Sequence, residues 1–266
     1  MSGQSFNYCL RLTRIKEWWE KFLHIGGSAY LLWAYTEQSS ITVSSFSIYN
    51  AAIFCLLLGG YAINDFADFH QDMAVGRKVK PTRGHSLFLS VASLAIGFGL
   101  ILSIASELLP GMITVVIIFL GVEYSLPPLR FKERKVWGVI IGSITQKPAI
   151  FLIFVAIIKS WGWLSLILSL WLFFGGLVGM LGHQILDYRN DNKLGVGTFA
   201  VFYGQDLSMK LAIVCAVLTG VTALMPVIFF PFLKALPVVL VLSAFSIVYP
   251  VKGLRSARKI RSSGIV

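Results

Sequence analysis

A chain of 266 residues, 56% of them hydrophobic and only 13% charged, with a mean hydropathy of +0.78, is too apolar for a soluble domain, which carries about 25% charge. Its net charge of +11 therefore does not point to nucleic acid, because basic residues gather in the cytosolic loops of membrane proteins. The three cysteines, Cys9, Cys55 and Cys215, are isolated and give neither a disulfide framework nor a metal knuckle.

The chain starts with "MSGQSFNYCLRLTRIKEWWEKF", which is polar, basic and aromatic and lacks the apolar core of a signal peptide. Residues 1–19 read as an amphipathic, cytosolic lead-in. Apolar runs follow near 20–36, 46–63, 86–106, 110–125, 137–158, 162–183, 208–230 and 235–251. Each has about the length that a helix needs to cross a bilayer. Pro226, Pro231 and Pro237 blur the boundary between the last two. A basic, cytosolic tail covers 252–266. The expected fold class is all-α: a polytopic transmembrane helical bundle of about eight spans, forming a single domain over 1–266.

The basic residues assign the sides. Of the 23 lysines and arginines, 20 fall in the N-terminal segment as far as Lys21, the tail and the three long loops after the second, fourth and sixth spans, counting Lys210 at the edge of the third. Lys159 and Lys234 sit in the opposite loops, and Lys147 falls within a span. The positive-inside rule puts both termini and the long polar loops in the cytosol, so the chemistry is expected on the cytosolic face. In a bacterium this would be the inner membrane.

Two carboxylate clusters stand at the cytosolic ends of apolar spans. The first is "NDFADFHQD", residues 64–72. Asn64, Asp68 and Asp72 are spaced four apart and stack along one helix face, with Asp65 about 100° round from Asn64. The second, "GHQILDYRND", residues 182–191, places Asp187 and Asp191 four apart. Stacked like charges repel and weaken a helix. Oxygen-only clusters of this kind suit Mg²⁺, which takes one or two carboxylates per ion and completes its octahedron with water and phosphate oxygens. Two facing clusters fit two Mg²⁺ ions around one diphosphate. The plain alternative is a set of solvated helix-end acids; the same spacing at two matching places argues against it.

Groups suited to phosphate lie nearby. Lys78 and Lys80 belong to "GRKVKPTRG" after the first cluster. Tyr124, Arg130 and Lys132 belong to "EYSLPPLRFKERK" between the fourth and fifth spans. Lys and Arg neutralise phosphate oxygens, although any single base here also fits a positive-inside loop charge. Glu123 and Lys147 lie inside or near the ends of spans, where ionisable groups serve function or pair internally.

Together these motifs resemble the UbiA superfamily of intramembrane prenyltransferases. Asn64–Asp72 is similar to the family's N-D-x-x-D-x-x-x-D motif. Asp187, Asp191, Gly195 and Thr198 are similar to its D-x-x-x-D and following G-x-x-T. "YSLPPLRFK" and "GTFAVFYG" resemble two further family segments, and the resemblance runs from about residue 15 to 250. Two departures stand out. His183 occupies a position where many relatives carry Asp or Asn, and relatives commonly have nine spans.

The resemblance implies a helical bundle with a central cavity open to lipid. It implies transfer of an isoprenyl group from an allylic diphosphate to an aromatic, quinone-precursor or other lipophilic acceptor, with release of diphosphate. The implied metal set is Asn64, Asp65, Asp68, Asp72, Asp187 and Asp191, with two Mg²⁺ ions expected. Asp68, Asp191, His183 and Tyr124 are the expected catalytic residues; Lys78, Lys80, Arg130, Lys132 and Tyr124 would bind diphosphate. His183, Gln184 and Lys147 would face the acceptor. Phe66, Phe69, Trp137 and Tyr188 are candidates to stabilise an allyl cation. Membrane lipid is an expected partner, whereas nucleic acid and an obligate protein partner are not. A terpene cyclase of the same superfamily and a Mg²⁺ or organic-ion transporter are the competing readings. Transport fits less well, because its ionisable groups would line a path through the membrane.

Overall fold

The computed structural model describes residues 13–36, 41–74, 76 and 82–229. They form α1 (Ile15–Tyr35), α2 (Val43–Ala74), α3 (Arg83–Ile104), α4 (Leu108–Ser125), a 3-10 turn (Phe131–Glu133), α5 (Lys135–Gln146), α6 (Pro148–Ile158), α7 (Trp163–Leu194), α8 (Phe199–Tyr203) and α9 (Gln205–Phe229). The all-α expectation holds: no strand occurs among the described residues, only a bridge between Lys135 and Thr198.

Six helical stretches among these residues are long and apolar enough to cross a membrane: α2, α3, α4, α5 with α6, α7, and Gln205–Pro226 of α9. The expected first span falls in α1, which carries Glu17, Glu20, Lys21 and His24 in its first three turns and does not qualify. The expected span at 235–251 lies outside the described residues.

α6 is the inner helix. It is apolar on every side, which suits a helix surrounded by others, and Ile150, Phe151, Ile153, Phe154 and Val155 are all buried. The Tyr49 hydroxyl on α2 donates to the Ile150 carbonyl at 3.0 Å. α2 packs closely on α3 through small residues: Ser90 Oγ donates to the Gly59 carbonyl at 2.9 Å. A Cβ at Gly97 would stand 3.3 Å from the Ala52 carbonyl. Small residues let transmembrane helices approach in this way. On the far side, α3 and α4 expose Phe88, Val91, Ile96, Val115 and Phe119. In water such a face would aggregate; in a bilayer it meets lipid tails.

The structure differs from the sequence expectation at two places that shape the site. α2 and α7 are each 32 residues long, about 48 Å at 1.5 Å per residue, against about 30 Å of hydrocarbon. Both helices run on past the expected span ends at 63 and 183, and both carboxylate clusters ride on these continuations. Gly195 ends α7 at φ +68°, the left-handed position that favours glycine. The expected span at 137–158 remains one crossing stretch, Lys135–Ile158, but its helix breaks into α5 and α6 at Lys147. Pro148 lacks an N–H and drives the preceding residue out of the helical region; Lys147 takes φ −139°, ψ −74°.

Candidate functional site

A cavity of about 570 Å³ lies among α1, α2, α4, α5 and α7. Asn64, Asp68 and Asp72 line it from α2, and His183, Gln184, Asp187 and Asp191 from α7. The spacing of four does what periodicity demands, keeping each set on one face. Tyr124 and Ser125 at the end of α4 and Lys132 on the 3-10 turn also line it. The deeper lining is apolar, with Leu56, Leu57, Ile117, Ile118 and Ile150.

Cations answer the α2 carboxylates. Lys132 Nζ pairs with Asp68, and Arg130 Nη2 stands 3.7 Å from the same carboxylate. Arg130 also pairs with Glu133 at 2.8 Å. Burial pulls the Lys132 ammonium down to about 8, while Glu133 and Asp191 pull it upward. The Asn64 carbonyl oxygen accepts from Ser125 Oγ at 3.3 Å. Gln184 Oε1 accepts from the Ala200 backbone N–H at 3.3 Å, which fixes that amide against the start of α8.

Two glycines seat the turn that carries Lys132. A Cβ at Gly138 would meet the Phe131 carbonyl at 2.7 Å and the Lys132 carbonyl at 2.9 Å. A Cβ at Gly197 would meet the Glu133 carbonyl at 2.8 Å, and Lys135 N–H donates to the Gly197 carbonyl at 3.1 Å. The turn is thus clasped between α5 and the strap after α7. Thr198 caps α8, accepting from Val201 N–H at 3.4 Å. The sequence pattern Gly195 to Thr198 therefore ends one helix, passes the Lys132 turn and starts the next.

Other expected site residues lie elsewhere. Asp65 is buried and bonded at 2.7 Å to Arg14, and it is not itself part of the cavity lining. Lys147 is buried with its Nζ 3.3 Å from His24 Nδ1, also outside the lining. Arg130 reaches Asp68 without lining the cavity. Phe66, Phe69, Trp137 and Tyr188 are absent from the lining: Phe66 lies under Arg83 and Trp137 is exposed. The cavity's rings are Tyr61 and Tyr124. Lys78 and Lys80 lie outside the described residues.

Sequence reasoning missed Arg14, Lys21, Tyr61, Gln71, Gln146 and Asn190, all of which line the cavity. Lys21 was legible as a charge inside an apolar run, where function is the default. Tyr61 sits three before Asn64, on a neighbouring part of the same face. Lys21 Nζ donates to the Tyr61 hydroxyl at 2.5 Å and bonds to Gln146.

The sequence model of the UbiA prenyltransferase family matches residues 25–263. The chain belongs to the UbiA prenyltransferase family. Among solved structures, it is similar to a UbiA homolog from Archaeoglobus fulgidus bound to GPP and Mg²⁺, with a TM-score of 0.70 and 18% identity over 96% of this chain and 87% of that one. A UbiA homolog from Aeropyrum pernix K1 in its apo form gives a TM-score of 0.66 at 14% identity, covering 92% of this chain and 96% of that one. A structure of digeranylgeranylglyceryl phosphate synthase gives 0.60 at 20% identity, covering 97% and 95%. These likenesses show a shared UbiA fold. Comparison with curated proteins gives no match.

Proposed function

We propose that this chain is a Mg²⁺-dependent intramembrane prenyltransferase that moves an isoprenyl group from an allylic diphosphate to a lipophilic acceptor. The observation that carries this reading is the convergence of two acidic helix faces and Lys132 on one cavity whose deeper lining is apolar. Family membership supports it, as do the GPP with Mg²⁺ and the DMAPP with Mg²⁺ held by the A. fulgidus homologs.

The donor set fits Mg²⁺. Asn64, Asp68, Asp72, Asp187 and Asp191 offer oxygen only, and hard cations take oxygen. No group of three or more His, Cys, Asp or Glu suited to hold a metal occurs among the described residues. One or two carboxylates per ion, completed by diphosphate oxygens and water, is the mode Mg²⁺ favours. Two ions are proposed, one for each acidic face. When bound, the metal supplies positive charge that stabilises diphosphate as a leaving group.

The chain's own residues do the rest. Lys132 and Arg130 neutralise the diphosphate, with Lys78 and Lys80 proposed beside them, and Tyr124 donates its hydroxyl. The C1–O bond breaks with its electron pair leaving on oxygen. The apolar lining receives the prenyl tail, which enters sideways from lipid, and excludes water from the allyl cation. Tyr124, in the cavity lining, is the ring proposed to stabilise it, since Arg14 and Lys21 already lie over the Tyr61 ring. A carbon or heteroatom of the acceptor then bonds to C1, and His183 takes the proton displaced. Gln184, held by Ala200, orients the acceptor beside it.

The test is product analysis with purified protein, Mg²⁺ and allylic diphosphates of several lengths, with and without extracted membrane lipids. Without acceptor, diphosphate release should be slow; with lipid extract it should be fast and yield a prenylated product. Rapid acceptor-free conversion to a cyclic hydrocarbon or terpene alcohol would replace the transferase with a cyclase.

Two further results are expected. Gly138→Ala should push the Lys132 turn off its seat and lower kcat/KM for the diphosphate by about tenfold or more, since misplacements of about 1 Å can cost 100-fold. Circular dichroism should stay helical; an unchanged kcat/KM would mean that the turn does not hold the substrate. Sidedness can be read by cysteine labelling. The probes belong at exposed Thr82, just ahead of α3, and at exposed Thr42, just ahead of α2. In intact cells the Thr42 cysteine should react with an impermeant maleimide and the Thr82 cysteine should not. The reverse pattern would invert the topology.

A further inference from the structure

Asp65 stands apart from the rest of its motif. It lies seven residues before Asp72 on nearly the same meridian of α2, but about 10 Å further along the axis. At that level the neighbour is α1. Asp65 is 7% exposed, and its Oδ1 accepts from Arg14 Nη1 at 2.7 Å. The same guanidinium donates through Nε to Glu17 Oε1 at 2.9 Å, and it lies 5.2 Å over the Tyr61 ring. Arg14, Glu17, Lys21 and Tyr61 all line the cavity, whereas Asp65 does not. Arg14 therefore joins the first turn of α1 to the middle of the motif. Its planar fork holds two carboxylates and a ring at once, which an ammonium cannot do.

We infer that Asp65 is a positioning residue and not a metal ligand. Through Arg14 it fixes the start of α1 against α2 and so sets the wall formed by Glu17 and Lys21. Ligating a metal would require its carboxylate to break a part-buried ion pair with Arg14, which is costly in a poorly solvated place. Asn64, Asp68 and Asp72 line the cavity, where a metal and its diphosphate would sit, whereas Asp65 does not. The kinetic part of this inference rests on the prenyltransferase reading; the metal-binding part does not.

The experiment compares Asp65→Asn, Arg14→Gln, the double variant and Asp68→Asn in the full-length protein. Mn²⁺ binding is read by electron paramagnetic resonance with inorganic pyrophosphate present, and kcat/KM is read with an allylic diphosphate. Asp65→Asn and Arg14→Gln should hold Mn²⁺ within about twofold of wild type, while Asp68→Asn weakens it about tenfold or more. Both single variants should lower kcat/KM, and the double should fall no further than the worse single, as for two residues acting through one contact. Loss of Mn²⁺ affinity in Asp65→Asn alone, or single-variant losses that multiply in the double, would overturn the inference. Where Asp65→Asn does not fold, Arg14→Lys keeps the charge and loses the fork. Lower kcat/KM with unchanged Mn²⁺ binding then supports the anchor, and weakened Mn²⁺ binding opposes it. A wild-type protein that binds Mn²⁺ and pyrophosphate but transfers no prenyl group would sink the proposed function and leave the Mn²⁺ comparison standing.

Discussion

Asp68→Asn and Asp191→Asn should each reduce turnover by roughly 100-fold or more, with helical content and melting temperature close to wild type. The two carboxylates line one cavity from different helices, and Asn keeps their shape while removing the charge. A neutral amide oxygen is a poor substitute for a carboxylate ligand to Mg²⁺, so metal and diphosphate affinity should fall together. Asp68 carries a second consequence. It pairs with Lys132 and stands 3.7 Å from Arg130, so its loss also releases Lys132 and leaves Arg130 to Glu133. Glu107 provides the control: it pairs with Lys159 on an exposed surface, where ion pairs contribute about 0–1 kcal/mol. Glu107→Gln should stay within about twofold of wild type. Near-normal activity of Asp68→Asn at limiting Mg²⁺ would remove the α2 face from the metal site.

Chelation should abolish turnover, and Mg²⁺ should restore it, without change in the helical signal. The fold is held by buried apolar packing around α6 and by close helix contacts, so the metal is not expected to be structural. Because Mg²⁺ is typically held by one or two carboxylates and completed by phosphate oxygens and water, it should bind weakly alone and much more tightly with diphosphate. Linkage makes this reciprocal: each must tighten the other by the same factor. Calorimetry of Mg²⁺ with and without pyrophosphate measures it. Equal Mg²⁺ affinity in both titrations would mean a closed protein site, contrary to the donor set.

The apolar runs announced most of the helices, and the spacing of four announced which faces of α2 and α7 carry the carboxylates. Periodicity says which residues share a face; it does not say what stands opposite. Asp65 read as a flanking member of its cluster, yet its fate depends on Arg14, 51 residues away. Lys21 read as a topology charge because a basic residue near a span end has that role far more often than a place in a cavity. Lys147 read as facing the acceptor, and the break imposed by Pro148 instead leaves it against His24. The four aromatic candidates were drawn from a chain that is 14% aromatic, too many rings for composition to pick out the two in the cavity. The glycines that seat the Lys132 turn were legible only in part: Gly195 by its motif, Gly138 and Gly197 only once backbone meets backbone.

The overhang of α2 and α7 has a thermodynamic consequence for the donor. About 20 residues of each helix suffice to cross the hydrocarbon, which brings the chain to about residues 62 and 182, just short of Asn64 and His183. The acidic faces therefore begin about where a hydrocarbon layer starting at the first turns of α2 and α7 would end. An isoprenyl diphosphate dissolved in the bilayer already has its own boundary between headgroup and chain at that height. Pulling a ten-carbon tail into water would cost about 8 kcal/mol at ~0.8 kcal/mol per CH₂, and a site at this depth never asks for it. Under the proposed prenyl transfer, the donor is captured by lateral diffusion, its tail passing from one apolar medium to another. Its effective concentration is then a mole fraction of the membrane, so that added inert lipid competes by dilution alone.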